Sequence, residues 1–316
     1  MKNHLKTVTI ALTTIFLMTS CSKDDNGGSE MGAESYETTF KITDAPIDNA
    51  NVEAVFITVS NIKVDGTSLE GFNKTTFDLA ALVNGQTKTL GNLQLEAGSY
   101  SNIELELDYD MDESGNSPGC YVELVNGEKD KLEAASNRIN ITDTYEIFVS
   151  NTNEIIIDFD LRKTIKEEQG TVSSNFEFVT MSELSAGVRT VNRETTGMIS
   201  GTVNDVQNTS DKIIVYAYEK GTFNAEAETS GKGDSNVTFA NAVTSSEVSG
   251  LNNGYSLNFL AEGEYELVFA SYKEEGSVIT FNSLLEVEST TGLDLGALKV
   301  NTAIQLSANV TIKGTK

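Results

Sequence analysis

Several short stretches of this chain place an apolar residue at every second position, and this alternation constrains its fold more than any other feature. The clearest stretch is 102–109, NIELELDY, and 155–161, IIIDFDL, repeats the pattern. Successive side chains of a strand point to opposite faces, so the pattern predicts strands with one face in a core and the other in water. No longer stretch has the 3.6-residue period of an amphipathic helix. We therefore expect an all-β protein.

Composition and turn residues support the same fold class. Val, Ile, Thr, Phe and Tyr recur in runs separated by Gly, Asn, Asp and Ser, and the chain has only two prolines and no tryptophan. Asn84-Gly85 and Asn126-Gly127 lie between strand-like runs, where two-residue hairpin turns need positive φ. A chain of 316 residues with 39% hydrophobic content is long enough to build two cores.

The strand-like runs fall into two series, which we interpret as two β-sandwich domains of the Ig-like or prealbumin-like kind, at 36–191 and 197–316. The runs of the second series are 213–218, 255–259, 265–272, 278–287 and 303–312. The connector 191–196 is too short and too polar to be assigned to a strand of either core, so we place the boundary there and expect the domains to lie close together. The polar stretch 219–236 is expected to be a long mobile loop.

One spacing occurs in both halves of the chain. Residues 95–100, LEAGSY, and 260–265, LAEGEY, share the pattern Leu-x-x-Gly-x-Tyr before an alternating strand. The pattern suits a sandwich in which glycine makes a turn and tyrosine begins an inward-facing strand.

The first 20 residues indicate a signal peptide. Residues 1–6 are basic, and 8–18 is a run of apolar residues and threonines shorter than the roughly 20 residues that span a bilayer. Thr19 and Ser20 then precede Cys21, which resembles a lipobox, with Met18 where leucine is usual. We expect Cys21 to be diacylated and to insert into outer-membrane lipid, since each buried methylene contributes about 0.8 kcal/mol. The alternative is an ordinary signal followed by an incidental cysteine.

The residues directly after Cys21 also carry a targeting pattern. Ser22, Lys23, Asp24 and Asp25 resemble the export signal that sends Bacteroidetes lipoproteins to the outer leaflet of the outer membrane. Charged residues at this place are alternatively only part of a solvated, flexible tether, which we assign to 21–35. The expected location is the outer membrane, with a lipid anchor and the body facing the cell exterior.

The strong acidity of the mature chain limits its partners. Without the first 20 residues it holds 20 basic and 47 acidic residues, a formal charge of about −27. Such a surface repels nucleic acid and anionic lipid headgroups, so no nucleic-acid partner is expected. The expected partner is an extracellular ligand, protein or polysaccharide, whose identity the residues do not specify.

Motifs in the first half occur in a characteristic order. They are TDAP at 43–46, VFITV at 55–59, FDL at 77–79, AGSY at 97–100, IDFD at 157–160 and GVR at 187–189. Their succession resembles the bacterial lipoprotein family called domain of unknown function 4382, over about 36–191. The part after Gly197, with GYSL at 254–257 and GEYEL at 263–267, is similar to carboxypeptidase-regulatory or prealbumin-like sandwiches. The resemblance implies a fold and a location, and the family has no assigned activity to carry over.

Few residues of the mature chain suit catalysis. The only histidine is His4, inside the signal peptide, which excludes Ser-His-Asp, Cys-His and histidine-based zinc sites. Cys120 alternates with Val122 and Leu124, so we interpret it as a buried hydrophobic residue and expect no catalytic role.

Carboxylate pairs two residues apart are abundant, as in Asp158 with Asp160 and Glu104 with Glu106. A carboxylate-based hydrolase needs two such groups across a cleft. Residues two apart on a strand share one face, so these pairs are interpreted as the wet side of a sheet.

One acidic cluster suggests a cation. Asp108, Asp110 and Asp112 stand at alternate positions in 108–116, where they could converge on Ca²⁺ in a loop. The loop is not an EF-hand, because Glu113 stands where glycine is needed and Gly119 where the bidentate glutamate belongs. An acidic hairpin tip is the favoured alternative, and no other cofactor is expected.

We interpret the chain as a non-enzymatic binding or adhesion module displayed on the outer membrane, because an anchor, a tether and two β-sandwiches present loops outward without a catalytic set. An alternative is a structural subunit resembling the fimbrillins, which polymerise by strand donation. Fimbrillin maturation commonly uses an early arginine, whereas the first arginine here is Arg138. A carboxylate-based hydrolase is the third alternative.

Overall fold

The computed structural model describes residues 34–45, 52–150, 152–169, 174–208, 210–275 and 278–316. The predicted signal peptide, Cys21 and the export residues 22–25 lie outside the described residues. Ser35–Lys316 form one compact unit. Within it we call 35–192 the N lobe and 196–316 the C lobe, since no described strand of one pairs with a strand of the other. The division into two domains, 36–191 and 197–316, stays a prediction.

The N lobe is a sandwich of two sheets with two short helices, α1 (Leu161–Thr164) and α2 (Met181–Ala186). Its strands are β1 (Ser35–Thr43), β2 (Val52–Val64), β3 (Thr67–Ser68), β4 (Thr75–Asp78), β5 (Lys88–Glu96), β6 (Gly98–Tyr100), β7 (Ile103–Leu107), β8 (Tyr121–Leu124), β9 (Lys129–Lys131), β10 (Arg138–Ile141), β11 (Tyr145–Ile147), β12 (Asn153–Phe159), β13 (Ile165–Gln169), β14 (Ser174–Phe178) and β15 (Val188–Asn192).

One N-lobe sheet has the order β15-β12-β1-β5, in which β1 and β12 run parallel. The other has the order β10-β7-β2-β8-β9, with β3 and β4 also paired to β2. The two pairs β6–β11 and β13–β14 stand apart from both sheets. Phe40 and Ile157 of the first sheet and Ile57 and Leu105 of the second belong to one buried core, so the apolar faces of the two sheets meet.

Strand β7 has the predicted alternation. Ile103, Leu105 and Leu107 are buried, whereas Glu104 and Glu106 between them are half-buried. Strand β12 differs, because the residues between its core positions are buried as well: Ile156 is fully buried and Asp158 is only 3% exposed. The interpretation of Asp158 and Asp160 as the wet side of a sheet is therefore wrong.

The C lobe is one large sheet curled around a core. Its strands are β16 (Thr196–Asn204), β17 (Lys212–Glu219), β18 (Thr244–Glu247), β19 (Gly254–Ala261), β20 (Gly263–Glu275), β21 (Val278–Ser289), β22 (Leu298–Val300), β23 (Gln305–Ser307) and β24 (Val310–Thr315). Their order is β18-β17-β20-β21-β24-β16-β19, with β22 on β20 and β23 on β16. The end strands β18 and β19 meet where the Ser256 N–H donates to Ser246 Oγ at 3.0 Å, so the sheet curls back on itself.

The second face of β17 and β20 is covered by the segment between β17 and β18. This face carries Tyr216, Tyr218 and Tyr272, and Phe239 of the covering segment stacks on Tyr216 with ring centroids 4.2 Å apart. The stretch predicted to be a mobile loop holds a short helix, α3 (Ala225–Thr229), whose Glu228 is 2% exposed. The Tyr218 hydroxyl donates to Glu228 Oε2 at 2.8 Å, and this buried bond ties the segment to the sheet.

The repeated Leu-x-x-Gly-x-Tyr spacing makes the same contact in both lobes. The Tyr100 hydroxyl donates to the Glu96 carbonyl at 3.0 Å, and the Tyr265 hydroxyl donates to the Ala261 carbonyl at 2.9 Å. Each tyrosine thus bonds the backbone four residues upstream and fixes the turn between two strands. The shared sequence pattern therefore corresponds to shared local structure.

The connector between the lobes is shorter than expected from sequence. Val191 and Asn192 belong to β15, the next three residues, Arg193–Thr195, form a 3-10 helix, and Thr196 already begins β16.

Strands make up 55% of the structure and helices 7%, which confirms the all-β prediction. In the part of the chain that the structure describes, we find no helix with the length and apolar content needed to cross a bilayer.

Candidate binding surface at the seam between the lobes

A buried ion pair joins the edge of the N-lobe sheet to the C lobe. Arg189 on β15 donates from Nε and Nη2 to Asp158 Oδ2 on β12, at 2.9 and 2.6 Å. Its Nη1 donates to the Phe259 carbonyl of the C lobe at 3.0 Å. Phe259 has a φ of +54°, a costly backbone conformation for an aromatic residue. The guanidinium therefore both neutralises Asp158 and holds the two lobes together.

A second set of charges lies at the start of α1. Asp160 Oδ1 caps the helix by accepting from the Arg162 N–H at 3.2 Å, and Asp160 Oδ2 pairs with Arg162 Nη2 at 2.6 Å. The Arg162 guanidinium stacks over the ring of Tyr216 in the C lobe, 5.1 Å from its centroid. Lys163 Nζ donates to the Ala242 carbonyl of the C lobe at 2.5 Å, and burial lowers the pKa of Lys163.

Helix α2 supplies a third contact. Its N-terminus is a capping box in which Glu183 accepts from the Thr180 N–H at 3.1 Å. The same carboxylate accepts from the Ser235 hydroxyl of the C lobe at 2.6 Å and from the Ser235 N–H at 3.1 Å. These hydrogen bonds outweigh desolvation and lower the pKa of Glu183 to about 2. Gly233 passes so near that an added Cβ would lie 2.2 Å from Glu183 Oε1.

Asp44 lies at the centre of the seam, directly after β1. Its Oδ1 accepts from the Leu161 N–H at 3.0 Å, and it is 5% exposed. Its Oδ2 has no hydrogen-bond partner among the described residues. Burial is the main reason that the pKa of Asp44 is raised well above its usual range, and the negative charges of Asp160 and Asp158 add to the effect.

Two open grooves flank the point where an N-lobe turn meets the C lobe. The turn is Asn84-Gly85, with φ of +57° and +79°. The positive φ of Gly85 favours glycine, and a Cβ there would lie 2.8 Å from Asn258 Oδ1, so the Asn258 side chain would have to shift. The larger groove, of about 490 Å³, is lined by Val83, Asn84, Glu247, Ser249, Asn252, Gly254, Tyr255 and Ser256. The smaller, of about 360 Å³, lies on the other side and includes Arg193, Met198 and Ile304.

The structure does not bring the three predicted calcium ligands together. Asp108 Oδ2 pairs with Lys74 at 2.7 Å, and Asp110 Oδ1 pairs with Lys131 at 2.9 Å. Asp112 Oδ1 accepts from the N–H groups of Ser114 and Asn116, at 2.8 and 2.7 Å, which closes its own turn. Among the described residues no group of three or more acidic, cysteine or histidine side chains is placed to hold a metal ion.

The other residues singled out from sequence have structural contacts. Cys120 is fully buried, its Sγ accepts from the Thr58 N–H at 3.3 Å, and burial raises the pKa of its thiol to about 12. Glu104 pairs with Lys63 at 2.8 Å on the outer face of β7.

Sequence reasoning missed Asp44, Arg162, Lys163, Glu183 and Arg189 as a group. The local signals were the TDAP and GVR motifs, which contain Asp44 and Arg189, the acids of the IDFD stretch, and the Thr-x-x-Glu spacing at 180–183, which is typical of a capping box. The cations that pair with the acids and the C-lobe groups that they contact come from elements remote in sequence. No pattern within one strand could have predicted their meeting.

The solved structures that match this chain are only distantly similar to it. The Bacillus anthracis TIE protein is 12% identical with a TM-score of 0.19, over 88% of this chain and 34% of that one. BcpA, the major pilin subunit of Bacillus cereus, is 11% identical with a TM-score of 0.20, over 89% of this chain and 71% of that one. The pilus-presented adhesin Spy0125 (Cpa) is 8% identical with a TM-score of 0.23, over 88% and 99%. This chain thus spans about a third of the TIE protein, and at these TM-scores the likeness carries no argument about function.

Sequence comparison is more specific. No curated protein matches this chain. The family model described as Domain of unknown function (DUF4382) matches residues 37–177. This match supports the predicted resemblance over residues 37–177, the greater part of the N lobe.

Proposed function

We propose that this protein is a lipid-anchored cell-surface protein whose two-lobed body binds an extracellular partner and catalyses no reaction. The observation that carries the proposal is the use made of the buried charges at the seam. Asp158 and Asp160 are each held by a guanidinium, and Glu183 accepts hydrogen bonds from Ser235. A general acid or base must exchange its proton with a substrate, whereas Glu183 contacts the C lobe directly and Asp158 and Asp160 hold the guanidinium groups that contact it.

Joined lobes make a preformed surface. The walls of the larger groove come from both lobes and present the amides of Asn84 and Asn252, the hydroxyls of Ser249 and Ser256 and the carboxylate of Glu247. Because the groove exists before a partner arrives, little conformational entropy is lost when it is occupied. Such a lining suits a partner that exposes many hydrogen-bonding groups, either a polysaccharide or a polar protein segment.

The location rests on the residues before the lobes. An acylated Cys21 would hold the chain in the outer membrane, and the residues 22–25 that follow it match an export signal for the outer leaflet. The tether and the acidic body would then extend into the medium, where the groove meets its partner.

Labelling and protease accessibility test the location. In cells supplied with an alkyne-bearing fatty acid, the wild-type full chain should be labelled and should fractionate with the outer membrane, whereas Cys21→Ser should be unlabelled. Protease added to intact cells should remove the wild type. A variant with alanine at 22–25 should remain acylated but should no longer be cleaved by the external protease. A wild-type chain that carries no acyl group, or that resists external protease, would contradict the proposal.

Binding is tested with two matched substitutions. Asn252 Oδ1 accepts from the Gly254 N–H at 3.0 Å, and Asn126 Oδ1 makes the same local contact with the Glu128 N–H at 2.9 Å, outside the groove. Asn252→Arg places a long cationic side chain in the groove, and Asn126→Arg serves as the control. On immobilised purified polysaccharides and extracellular-matrix proteins, Asn252→Arg should lose a binding signal that Asn126→Arg keeps. Equal binding by both variants would show that the groove is not the binding site. Polymers seen on native cells by electron microscopy would favour the alternative of a structural subunit.

A further inference from the structure

A chamber of about 10 Å³ lies inside the seam and is walled by both lobes. The N lobe contributes Asp44 and Asp158, and the C lobe contributes Ser245 and Asn258. Two of the lining residues each have a buried polar atom with no hydrogen-bond partner among the described residues, Asp44 Oδ2 and Ser245 Oγ. Asp44 is 5% and Ser245 4% exposed. A cavity of about this volume holds one water molecule when polar groups line it.

The charges around the chamber disfavour an ionised Asp44. Asp158 on β12 and Asp160 before α1 both act on Asp44 with negative charge, and Arg162 is the cation that opposes them. Two other nearby cations are engaged elsewhere, since Arg189 pairs with Asp158 and Lys163 lies 3.4 Å from Asp160. The residues that the C lobe places at the chamber are all uncharged. Desolvation and the two neighbouring carboxylates both favour the neutral acid of Asp44 over its carboxylate.

We propose that Asp44 keeps its carboxyl proton well above the pH at which an ordinary aspartic acid loses it, and that one water molecule in the chamber accepts a hydrogen bond from its Oδ2–H and donates one to Ser245 Oγ. The two lobes are thereby joined through a titratable group and a bound water. Asp44 Oδ2 and Ser245 Oγ then both have hydrogen-bond partners, as buried polar groups nearly always do. This joint concerns the cohesion of the lobes and does not depend on what the groove binds.

The joint has a defined response to pH. Because burial raises the pKa of Asp44, the folded protein binds this proton more tightly than the unfolded chain, in which an Asp carboxyl titrates near 4. The stabilisation is fully present below that pH and is lost as pH rises through the raised pKa. Within this window, each pH unit upward lowers the ratio of folded to unfolded protein by up to about tenfold through this group. The seam therefore tightens in acid and loosens in alkali.

The proton linkage is measured by urea unfolding of the full chain between pH 5 and 9, with Cys21→Ser as the background that prevents acylation. Asp44→Asn keeps a hydrogen-bond donor in place but cannot titrate. Its stability should fall with pH less steeply than that of the wild type, by the linkage of up to one proton. Glu262→Gln, an exposed carboxylate in the C lobe, should keep the wild-type slope. Equal slopes for the wild type and Asp44→Asn would overturn the proposal.

Two further measurements do not need the Asp44 variant to fold. The Leu161 amide donates to Asp44 Oδ1, so its NMR shift in the wild type reports the titration of Asp44 and should have its midpoint well above pH 4. A midpoint near pH 4 would overturn the neutral acid. Ser245→Ala removes one partner of the water while leaving Asp44 intact. It should lower the free energy of unfolding most at the acid end of this pH range, where Asp44 is protonated and donates to the water, and unaltered stability there would refute the bridge.

Discussion

Replacing Arg189 by methionine tests the ion pair that links β12 to the C lobe. The substitution removes two hydrogen bonds to Asp158 Oδ2, of 2.9 and 2.6 Å, and the 3.0 Å bond to the Phe259 carbonyl. Asp158 is 3% exposed, so its charge would stay buried without a guanidinium. Breaking a buried pair in this way costs about 3–5 kcal/mol, and we expect the free energy of unfolding to fall by about that amount.

The assay is urea denaturation followed by circular dichroism and by tyrosine fluorescence, since the chain has no tryptophan. The double variant Asp158→Asn, Arg189→Met removes both charges and should recover much of the loss. Lys220→Met provides the control, because the Lys220–Glu264 pair is about half exposed on each side and should contribute little. A loss in Arg189→Met no larger than that in Lys220→Met would refute the reasoning.

Four other outcomes follow from the geometry. In a Cys21→Ser background, native Cys120 should resist thiol reagents at pH 8 and react on unfolding, since burial raises its pKa to about 12, and modification of the native protein would contradict this. Gly292→Ala should lower the free energy of unfolding by about 1–2 kcal/mol, measured by thermal denaturation, because Gly292 has a φ of +73° and no atom lies near the added Cβ. Gly233→Ala should lower it more, because Gly233 has the same φ and the added Cβ would lie 2.2 Å from Glu183 Oε1. The pKa of Glu183 is lowered to about 2 in the folded protein, whereas a Glu carboxyl in the unfolded chain has a pKa near 4. Ionised Glu183 therefore stabilises the fold fully above about pH 4. That contribution should disappear as pH falls toward 2, and Glu183→Gln should flatten the acid limb of the stability profile. Because the carboxylates of Asp108, Asp110 and Asp112 already have partners, calcium calorimetry should give no heat that depends on them, and a heat lost in Asp110→Asn, Asp112→Asn would reverse this expectation.

The sequence predicts the strands better than their surroundings. Strand β7 was predicted with the correct buried face, because Glu104 and Glu106 remain on an outer surface. The same pattern in β12 led to a wrong interpretation, since the C lobe and the cations of α1 and β15 cover the face that carries Asp158. Alternation records which face of a strand is polar, but it does not record whether a second lobe packs on that face.

The contacts between the lobes could not be predicted from the sequence for a related reason. The capping box of Glu183 is local and readable from its spacing, whereas its bond to Ser235 joins residues 52 apart in the chain. In the sequence, Asp44 is likewise only one acid in a short motif. The folded structure brings the Leu161 N–H to its carboxylate and places Ser245 at the same chamber. Long-range pairs of this kind depend on how the lobes pack, which composition and periodicity do not encode.

The central claim is that buried charges hold the two lobes as one rigid body, and an interlobe distance tests it most directly. Spin labels at Val125→Cys in the N lobe and Val206→Cys in the C lobe occupy exposed positions, and buried Cys120 should remain unlabelled in a Cys21→Ser background. Pulsed electron resonance should give a single narrow distance distribution for this protein, and adding Arg189→Met should broaden it. A broad or multiple distribution without Arg189→Met would contradict the account, because it would mean that the lobes move independently.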